Sequence, residues 1–361
     1  MPDLEDSIPT LQPAGPPPWV VRPYQPGDTE GLLRLYGQVF GRERSEEELR
    51  WKLLRPGYPF DTLWVADAGG RIVGQHAGIP MRLKLSDRVV TVVHAVEAMT
   101  HDDFRREGML TRLGGGLYDH WRESGVPLII GLPHEGWGTR AYALGYRPAF
   151  PMRWLSRPLR PFAILLSRLG LRNTSAIAEL RASRSDSWKQ HPGGVLVRRA
   201  GSATEQFDNL WKHVGLYYRY AVVRDAEWVR WRYFAPPDGP YTVLLAMRQG
   251  MPTGYIAFRT VRIGGRAIGR IADLFARPAD VYTVRALLRE ATRNLRASGA
   301  DSAVILVAAG SPLYSIVRRH GFLINRGEYK ASFIRLSEEI DADALNDPRN
   351  WLLTGGDFDV V

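Results

Sequence analysis

Six consecutive residues, Arg105-Arg106-Glu107-Gly108-Met109-Leu110, carry the spacing best suited to chemistry in this chain. The stretch before them ends in an apolar strand pattern. The stretch after them places Leu110, Leu113, Leu117 and Trp121 at helical spacing, so the six residues form a turn from a strand end into a helix with one buried face. A helix start leaves its first amides without carbonyl partners and adds the positive end of the helix dipole, a combination that favours an anion. Phosphate suits it. Gly108 removes the side chain where a ligand would approach the backbone most closely, and the arginines add fixed positive charge. An ordinary capped helix with a basic first turn would show the same spacing.

The strand, the Arg-x-x-Gly-x-x turn and the helix together resemble the acyl-CoA pyrophosphate loop of the GNAT acyltransferase superfamily. That loop reads Arg or Gln, two residues, Gly, one residue, then Gly or Ala. Leu110 departs from it at the sixth position. The Eis-like branch, the enhanced-intracellular-survival acetyltransferases, carries Arg-Arg-x-Gly-Leu-Leu, which Arg105 to Leu110 fits better. The resemblance implies that Arg105, Arg106, Glu107, Gly108, Met109, Leu110 and Thr111 surround a pyrophosphate, with the amides from Arg106 to Thr111 as its cradle. It also implies that the backbone of Ala98, Met99 and Thr100 pairs with the pantetheine arm as an added strand. His134 stands where similar proteins often have Pro-Asn along the pantetheine channel; a plain loop histidine is the alternative. The implied co-substrate is acetyl-CoA or another acyl-CoA.

Acyl transfer from a thioester to an amine needs a neutral amine, a polarised carbonyl and a proton for the departing thiolate. Glu97 is the candidate proton acceptor, because Val93, Ala95, Glu97 and Met99 are expected on one strand face just before the pantetheine-binding backbone. A buried glutamate satisfied by an arginine is the competing reading. The resemblance implies a tyrosine acid in the helix before a closing Gly-Tyr, and Tyr142 is the residue available, three positions before Gly145 where four is usual. A packed tyrosine reads equally well. Similar enzymes recruit their own terminal carboxylate as base, here that of Val361, although this chain is expected to lack their extra C-terminal domain.

Composition bounds what surrounds this turn. The 361 residues are 45% hydrophobic and 24% charged, enough for two cores. The formal charge of +10 comes almost wholly from arginine, lysine occurring only as Lys52, Lys84, Lys189, Lys212 and Lys330. Such a surface suits nucleic acid, an anionic membrane face or an anionic small ligand, and coenzyme A suffices for the last. The absence of cysteine excludes disulfides, thiolate nucleophiles and cysteine metal sites. The eight histidines show no ligand spacing, so no metal is expected, and His101-Asp102-Asp103 reads as a solvated turn. The start of the chain is acidic and proline-rich rather than signal-like. No apolar run approaches the roughly 20 residues of a membrane helix, and a cytoplasmic location is expected.

Several elements must hold the turn in place. Val20 to Arg22 reads as a strand, Gly27-Asp28-Thr29 caps a helix through Val39, and Glu46 to Leu54 forms a second helix. Strands follow at Thr62 to Ala66, Ile72 to Ile79, Met81 to Leu85 and Val89 to Val96, then Pro127 to Leu132, with a short helix over Thr139 to Leu144 and a strand after Gly145-Tyr146. Gly114-Gly115-Gly116 inside the main helix costs roughly 1 kcal/mol per residue against alanine, so the backbone there is either closely approached or distorted.

The chain then repeats itself at an offset of 174 to 180 residues. Thr29-Glu30 matches Thr204-Glu205, Trp51 matches Trp231, Gly74 matches Gly254, Glu97 matches Asp273, Ser124-Gly125 matches Ser298-Gly299, and Gly145-Tyr146 matches Gly321-Phe322. The turn does not recur: Arg277-Pro278-Ala279-Asp280-Val281-Tyr282 stands in its place, and an aspartate at a helix start competes with phosphate.

The resulting expectation is an α/β (α+β) protein of two tandem GNAT-like domains, each a mixed, mostly antiparallel sheet flanked by helices. Residues 1–18 form a disordered Pro-rich tail, 19–150 the domain with the acyl-CoA site, 151–200 a basic linker with a helix, 201–338 a degenerate second domain and 339–361 a docking tail. The segment 155–172 offers weak association with a membrane surface. The activity implied is acyl-CoA-dependent N-acyltransfer through a ternary complex, to a primary amine on a small or sugar-like acceptor. Two rivals are a non-catalytic acyl-CoA-binding scaffold and an aminoacyl-tRNA-dependent transferase; the intact turn argues against the second and against a nucleic-acid partner. Nothing in the residues sets the oligomeric state.

Overall fold

A computed structural model describes residues 18–133, 137–161, 187–325, 327 and 329–360. The first half runs β1 (Val20–Pro23), α1 (Thr29–Phe40), α2 (Glu46–Leu53), β2 (Leu63–Ala68), β3 (Arg71–Leu85), β4 (Arg88–Thr100), α3 (Met109–Glu123), β5 (Leu128–Gly131), α4 (Gly138–Ala143) and β6 (Arg147–Pro158). Local chemistry explains the boundaries. The Ser45 side chain accepts the amide of Glu48 at 3.0 Å to start α2, whose first turn carries three glutamates that suit the dipole. Ser86, at φ 60°, turns β3 back into β4. β3 is one strand through Pro80, where the sequence suggests two, Ile72 to Ile79 and Met81 to Leu85. Pro80 is paired with Val93 and the ladder continues on either side.

The second half repeats the order: β7 (Lys189–His191), β8 (Val195–Arg199), α5 (Glu205–Val214), β9 (Tyr220–Val222), α6 (Ala226–Val229), β10 (Thr242–Arg248), β11 (Met251–Ile263), β12 (Arg266–Ala276), α7 (Val281–Ala297), β13 (Ser302–Ala308), α8 (Pro312–Arg319), β14 (Leu323–Ile324) and β15 (Tyr329–Arg335). The tail adds α9 (Ala342–Asn346) and β16 (Trp351–Leu352).

Each half lends its closing strand to the other. β6 pairs antiparallel with β13, and β15 pairs antiparallel with β5, while β6 and β15 lie side by side. One sheet therefore runs β1-β2-β3-β4-β5-β15-β6-β13-β12-β11-β10-β8-β7, and one apolar core extends beneath both halves. Trp51 and Trp231 mark the local two-fold relation. Their rings stack at 5.2 Å, and each indole N–H donates to the other's carbonyl, at 3.1 and 3.0 Å. Such reciprocity is what a two-fold interface produces.

The expected linker over 151–200 needs correction at both ends. Pro151 to Pro158 belong to β6, with Met152 and Leu155 fully buried, and Lys189 to Arg199 form β7 and β8. Prolines obscured the strand. The pairing of β6 with β15 shifts register beside Pro148, where a residue without an N–H is tolerated. Leu155 to Pro158 of the expected surface segment are thus interior sheet, and 162–172 lie outside the described residues, as do 1–17 of the expected N-terminal tail. Among the described residues no helix is long and apolar enough to cross a membrane.

Candidate functional site

The turn between β4 and α3 takes the shape its glycine requires. Arg106 and Gly108 have φ of 71° and 74°, and nothing lies within 4 Å of a Cβ placed on Gly108. Backbone conformation, not crowding, calls for glycine there, and the open side faces a cavity of about 780 Å³. Thr100, Arg105, Arg106, Gly108, Met109, Leu110 and Thr111 line that cavity, and α4 contributes Arg140 from across it. Glu107 is held aside, accepting the indole N–H of Trp19 at 2.9 Å. Behind the turn, α3 is unbroken. A Cβ on Gly114 would meet Leu144 at 2.7 Å and one on Gly116 would meet Trp64 at 2.9 Å, so two of the three consecutive glycines permit close packing.

Next to this cavity the sheet opens. β5 pairs with β4 only at Val93–Ile129 and His94–Ile130. Among the described residues, Ala95 to Thr100 therefore have a strand partner on the β3 side alone. Register shifts at the same place, two residues of β4 facing His76 of β3, and Glu97 takes φ 51°. The bulge breaks the expected sharing of one face by Val93, Ala95, Glu97 and Met99. Val93 packs with Tyr118 and Trp121 under α3, whereas the Glu97 carboxylate turns to Arg44 and Lys52 on the α2 side.

Glu97 is fully engaged. Arg44 donates to both of its oxygens, one at 2.8 Å, and Lys52 donates to one while also holding Asp359 at 2.5 Å. Burial alone would raise its pKa, but Lys52 and Arg44 outweigh burial and bring it to about 2. A carboxylate so held is a weak proton acceptor.

A second cavity, of about 310 Å³, sits at the opening between β4 and β5. Aromatic and apolar side chains dominate its wall, including Phe40, Leu132, Trp137 and Phe358, but it also presents His76, His94, Tyr118, Tyr146, Glu97 and Asp359. Tyr118 forms a buried hydrogen-bonded chain, with its hydroxyl 2.8 Å from His76 Nε2 and 3.2 Å from the Tyr146 hydroxyl. Burial holds His76 down to about 4 and raises both tyrosines. His94 Nδ1 lies 3.0 Å from the carbonyl oxygen of Ile130, and its ring meets Phe358 edge-on at 5.3 Å.

Phe358 and Asp359 come from the C-terminal tail, which the second half grips. Arg232 donates to the carbonyls of Gly356 and Phe358 at 3.0 and 2.7 Å, and Arg270 donates to that of Val360 at 3.3 Å. β12 and β13 part after Ile271–Ile305, much as β4 and β5 part, but here Thr354 bridges to Val307 and donates its hydroxyl to Asp273 at 2.8 Å. Arg224, fully buried, donates to Asp273 and Asp357, and Tyr233 and Tyr255 also donate to Asp273. A Cβ on Gly356 would meet the Tyr233 hydroxyl at 2.1 Å. The opening in the second half is thus filled by the chain itself. At the start of α7, Asp280 accepts the Thr283 amide at 3.1 Å and pairs with Arg248, so a carboxylate occupies the helix end that would otherwise suit phosphate.

The residues expected from the sequence separate accordingly. Ala98, Thr100, Arg105, Arg106, Gly108, Met109, Leu110 and Thr111 gather around the first cavity. Tyr142 is 48% exposed on α4, while its neighbour Ala141 lines the second cavity instead, because the helix turns that face inward. His134 and Val361 lie outside the described residues. Sequence reasoning missed His76, His94, Tyr118, Arg140 and Asp359. A histidine flanked by mostly apolar residues in each of two strands, at His76 and His94, was the available signal. Among the described residues there is no cluster of three or more His, Asp or Glu able to hold a metal.

The fold is GNAT-like, and residues 20–149 match the family model described as acetyltransferase (GNAT) domain. Solved structures agree on the architecture across nearly the whole chain. A conserved protein of Enterococcus faecalis V583, a probable N-acyltransferase, superposes with TM-score 0.60 at 13% identity, covering 88% of this chain and 73% of its own. A GCN5-related N-acetyltransferase from Anabaena variabilis ATCC 29413 gives the same TM-score, identity and coverage. Saccharomyces cerevisiae N-myristoyltransferase, solved with bound myristoyl-CoA, superposes with TM-score 0.58 at 13% identity over 92% of this chain and 86% of its own. No curated protein sequence matches the chain.

Proposed function

We propose that the protein is an acyl-CoA-dependent N-acyltransferase of one active half, most simply an acetyltransferase acting on a primary amine of a small or sugar-like acceptor. One observation carries this reading. The unpaired edge of β4 from Ala95 to Thr100 joins an amide- and arginine-lined cavity at Gly108 to an aromatic cavity beneath Tyr118 and Phe358. A pyrophosphate at the first, a pantetheine arm pairing with Ala98, Met99 and Thr100, and a thioester at the second fit that continuous path. The branch, Eis-like by its Arg105 to Leu110 motif, belongs to this proposal as well.

In this reading Arg105, Arg106 and Arg140 neutralise phosphate charge, and the amides after Gly108 orient it. Glu97 serves as an anchor: it holds Arg44 and Lys52, and through Lys52 it holds Asp359 at the cavity wall. The amine nitrogen attacks the thioester carbonyl carbon, the C–S bond breaks, and the thiolate takes a proton from the Tyr118–Tyr146 chain rather than from Tyr142.

The test is thiol release from acetyl-CoA across a panel of primary amines: glucosamine, spermidine, an amino-acid amide and a peptide with a free N-terminus. Release that depends on the amine and disappears in Gly108→Glu is expected, with a larger loss in Tyr118→Phe than in Tyr142→Phe. Release at the same rate with and without every amine would overturn the reading.

A further inference from the structure

We propose that His94 is the general base of this acyl-transfer centre, its Nε2 taking the proton that the acceptor amine sheds on bonding to the thioester carbon. The inference rests on the N-acyltransferase reading above. Its starting point is that the carboxylate best placed along β4, Glu97, is spent on Arg44 and Lys52.

The tautomer of His94 follows from its partner. The Ile130 carbonyl can only accept, so Nδ1 carries the hydrogen and the neutral ring keeps its lone pair on Nε2. No described residue bonds Nε2, although the ring is only 4% exposed and lines the cavity. His94 is also the last residue of β4 paired with β5, so the ring stands where the sheet opens.

The charged groups acting on the ring are Lys52 from α2, Asp359 from the tail and Arg232 from the second half, with Glu97 of β4 on the same cavity wall. Burial, with Lys52 and Arg232, holds the imidazole near 4 against the opposing pull of the Ile130 carbonyl and Asp359, so it stands neutral and ready at physiological pH. The attacking nitrogen becomes strongly acidic as its bond to carbon forms, so a weak base suffices. The proton passes from nitrogen to Nε2, the C–N bond forms, the C–S bond breaks and the thiolate is protonated from the tyrosine side. The Asp359 charge nearby favours the imidazolium so formed, which gives its proton to solvent as the products leave.

Two variants test this, assayed with acetyl-CoA and the panel amine giving fastest thiol release. His94→Gln keeps a donor for Ile130 but has no basic nitrogen; His94→Ala leaves space for a small base. Both are expected to lose about 10²- to 10⁴-fold in kcat, the usual worth of a positioned base. Acetyl-CoA affinity, read by calorimetry, should stay within about threefold of the parent, the range of an unperturbed site. Added imidazole should restore His94→Ala saturably, with substituted imidazoles ranking by basicity. A His94→Gln rate within about fivefold of the parent, well short of a lost base, overturns the role whether or not His94→Ala folds. A lost rate that imidazole does not restore, with acetyl-CoA affinity intact, also overturns it and makes His94 structural. A parent that binds no acetyl-CoA overturns the N-acyltransferase reading itself, and the role of His94 with it.

Discussion

The two halves part their central strands at matching points, and only the first leaves the gap open. In the first, β4 and β5 separate after His94–Ile130 onto a cavity; in the second, β12 and β13 separate after Ile271–Ile305 and the tail from Thr354 to Asp357 fills the space. The same contrast holds at the helix starts. Gly108 leaves its turn open, while Asp280 caps its own helix and pairs with Arg248. One fold can therefore serve as a binding site or as a clamp, depending on whether its gap receives a ligand or the chain's own backbone. In this protein the clamp delivers Phe358 and Asp359 to the cavity of the other half.

The largest expected effect comes from loosening the clamp. Arg224→Met leaves Asp273 and Asp357 buried without their cation and should cost about 3–5 kcal/mol in urea denaturation. A cost below about 1 kcal/mol, the worth of a surface pair, would show that the tail is not held this way.

Glu97→Gln should cost somewhat less, about 2–3 kcal/mol at pH 7, with opposite pH behaviour in the two halves. The Glu97 pKa is depressed from 4.5 to about 2, so its contribution is present above about 4.5 and fades as pH falls toward 2. Asp357 is raised to about 6, by burial first and by Asp273, against the pull of Arg224. Its contribution is fully present below the ordinary carboxylate value and is lost as pH rises through 6. Stability measured against pH should therefore show a shallower acid limb in Glu97→Gln and lose its decline from about pH 4 to 7 in Asp357→Asn. Identical profiles for the two variants would erase the distinction.

Smaller effects probe the symmetry. Trp51→Phe and Trp231→Phe each remove one indole bond to the other's carbonyl and should each cost about 1 kcal/mol by thermal denaturation. Unequal costs would break the two-fold correspondence at its centre. Asp280→Ala should cost about 0.5–1 kcal/mol as a lost cap, without creating a second coenzyme A site.

The turn was legible because its information is local: Arg106, Gly108 and the helical spacing after them all lie between Arg106 and Trp121. The repeat was legible through matched landmarks, and one matched pair, Trp51 and Trp231, stacks and exchanges hydrogen bonds. The apolar, aromatic stretch from Asn350 to Asp359 announced a docked segment, and Trp351 and Phe358 are buried. The fate of Glu97 was hidden because its partners Arg44 and Lys52 lie 53 and 45 residues away and meet it only once the bulge reverses its direction. The exchange of closing strands was hidden for a different reason. Pairing between β6 and β13 depends on topology, and the prolines of β6 disguise its strand character.

The most direct test of a single open half is calorimetric titration of acetyl-CoA into the full chain, beside Gly108→Glu. One site per chain is expected, and none in the variant, where a bulky anion enters the turn at a left-handed φ. Two sites per chain, or undiminished binding to Gly108→Glu, would contradict it.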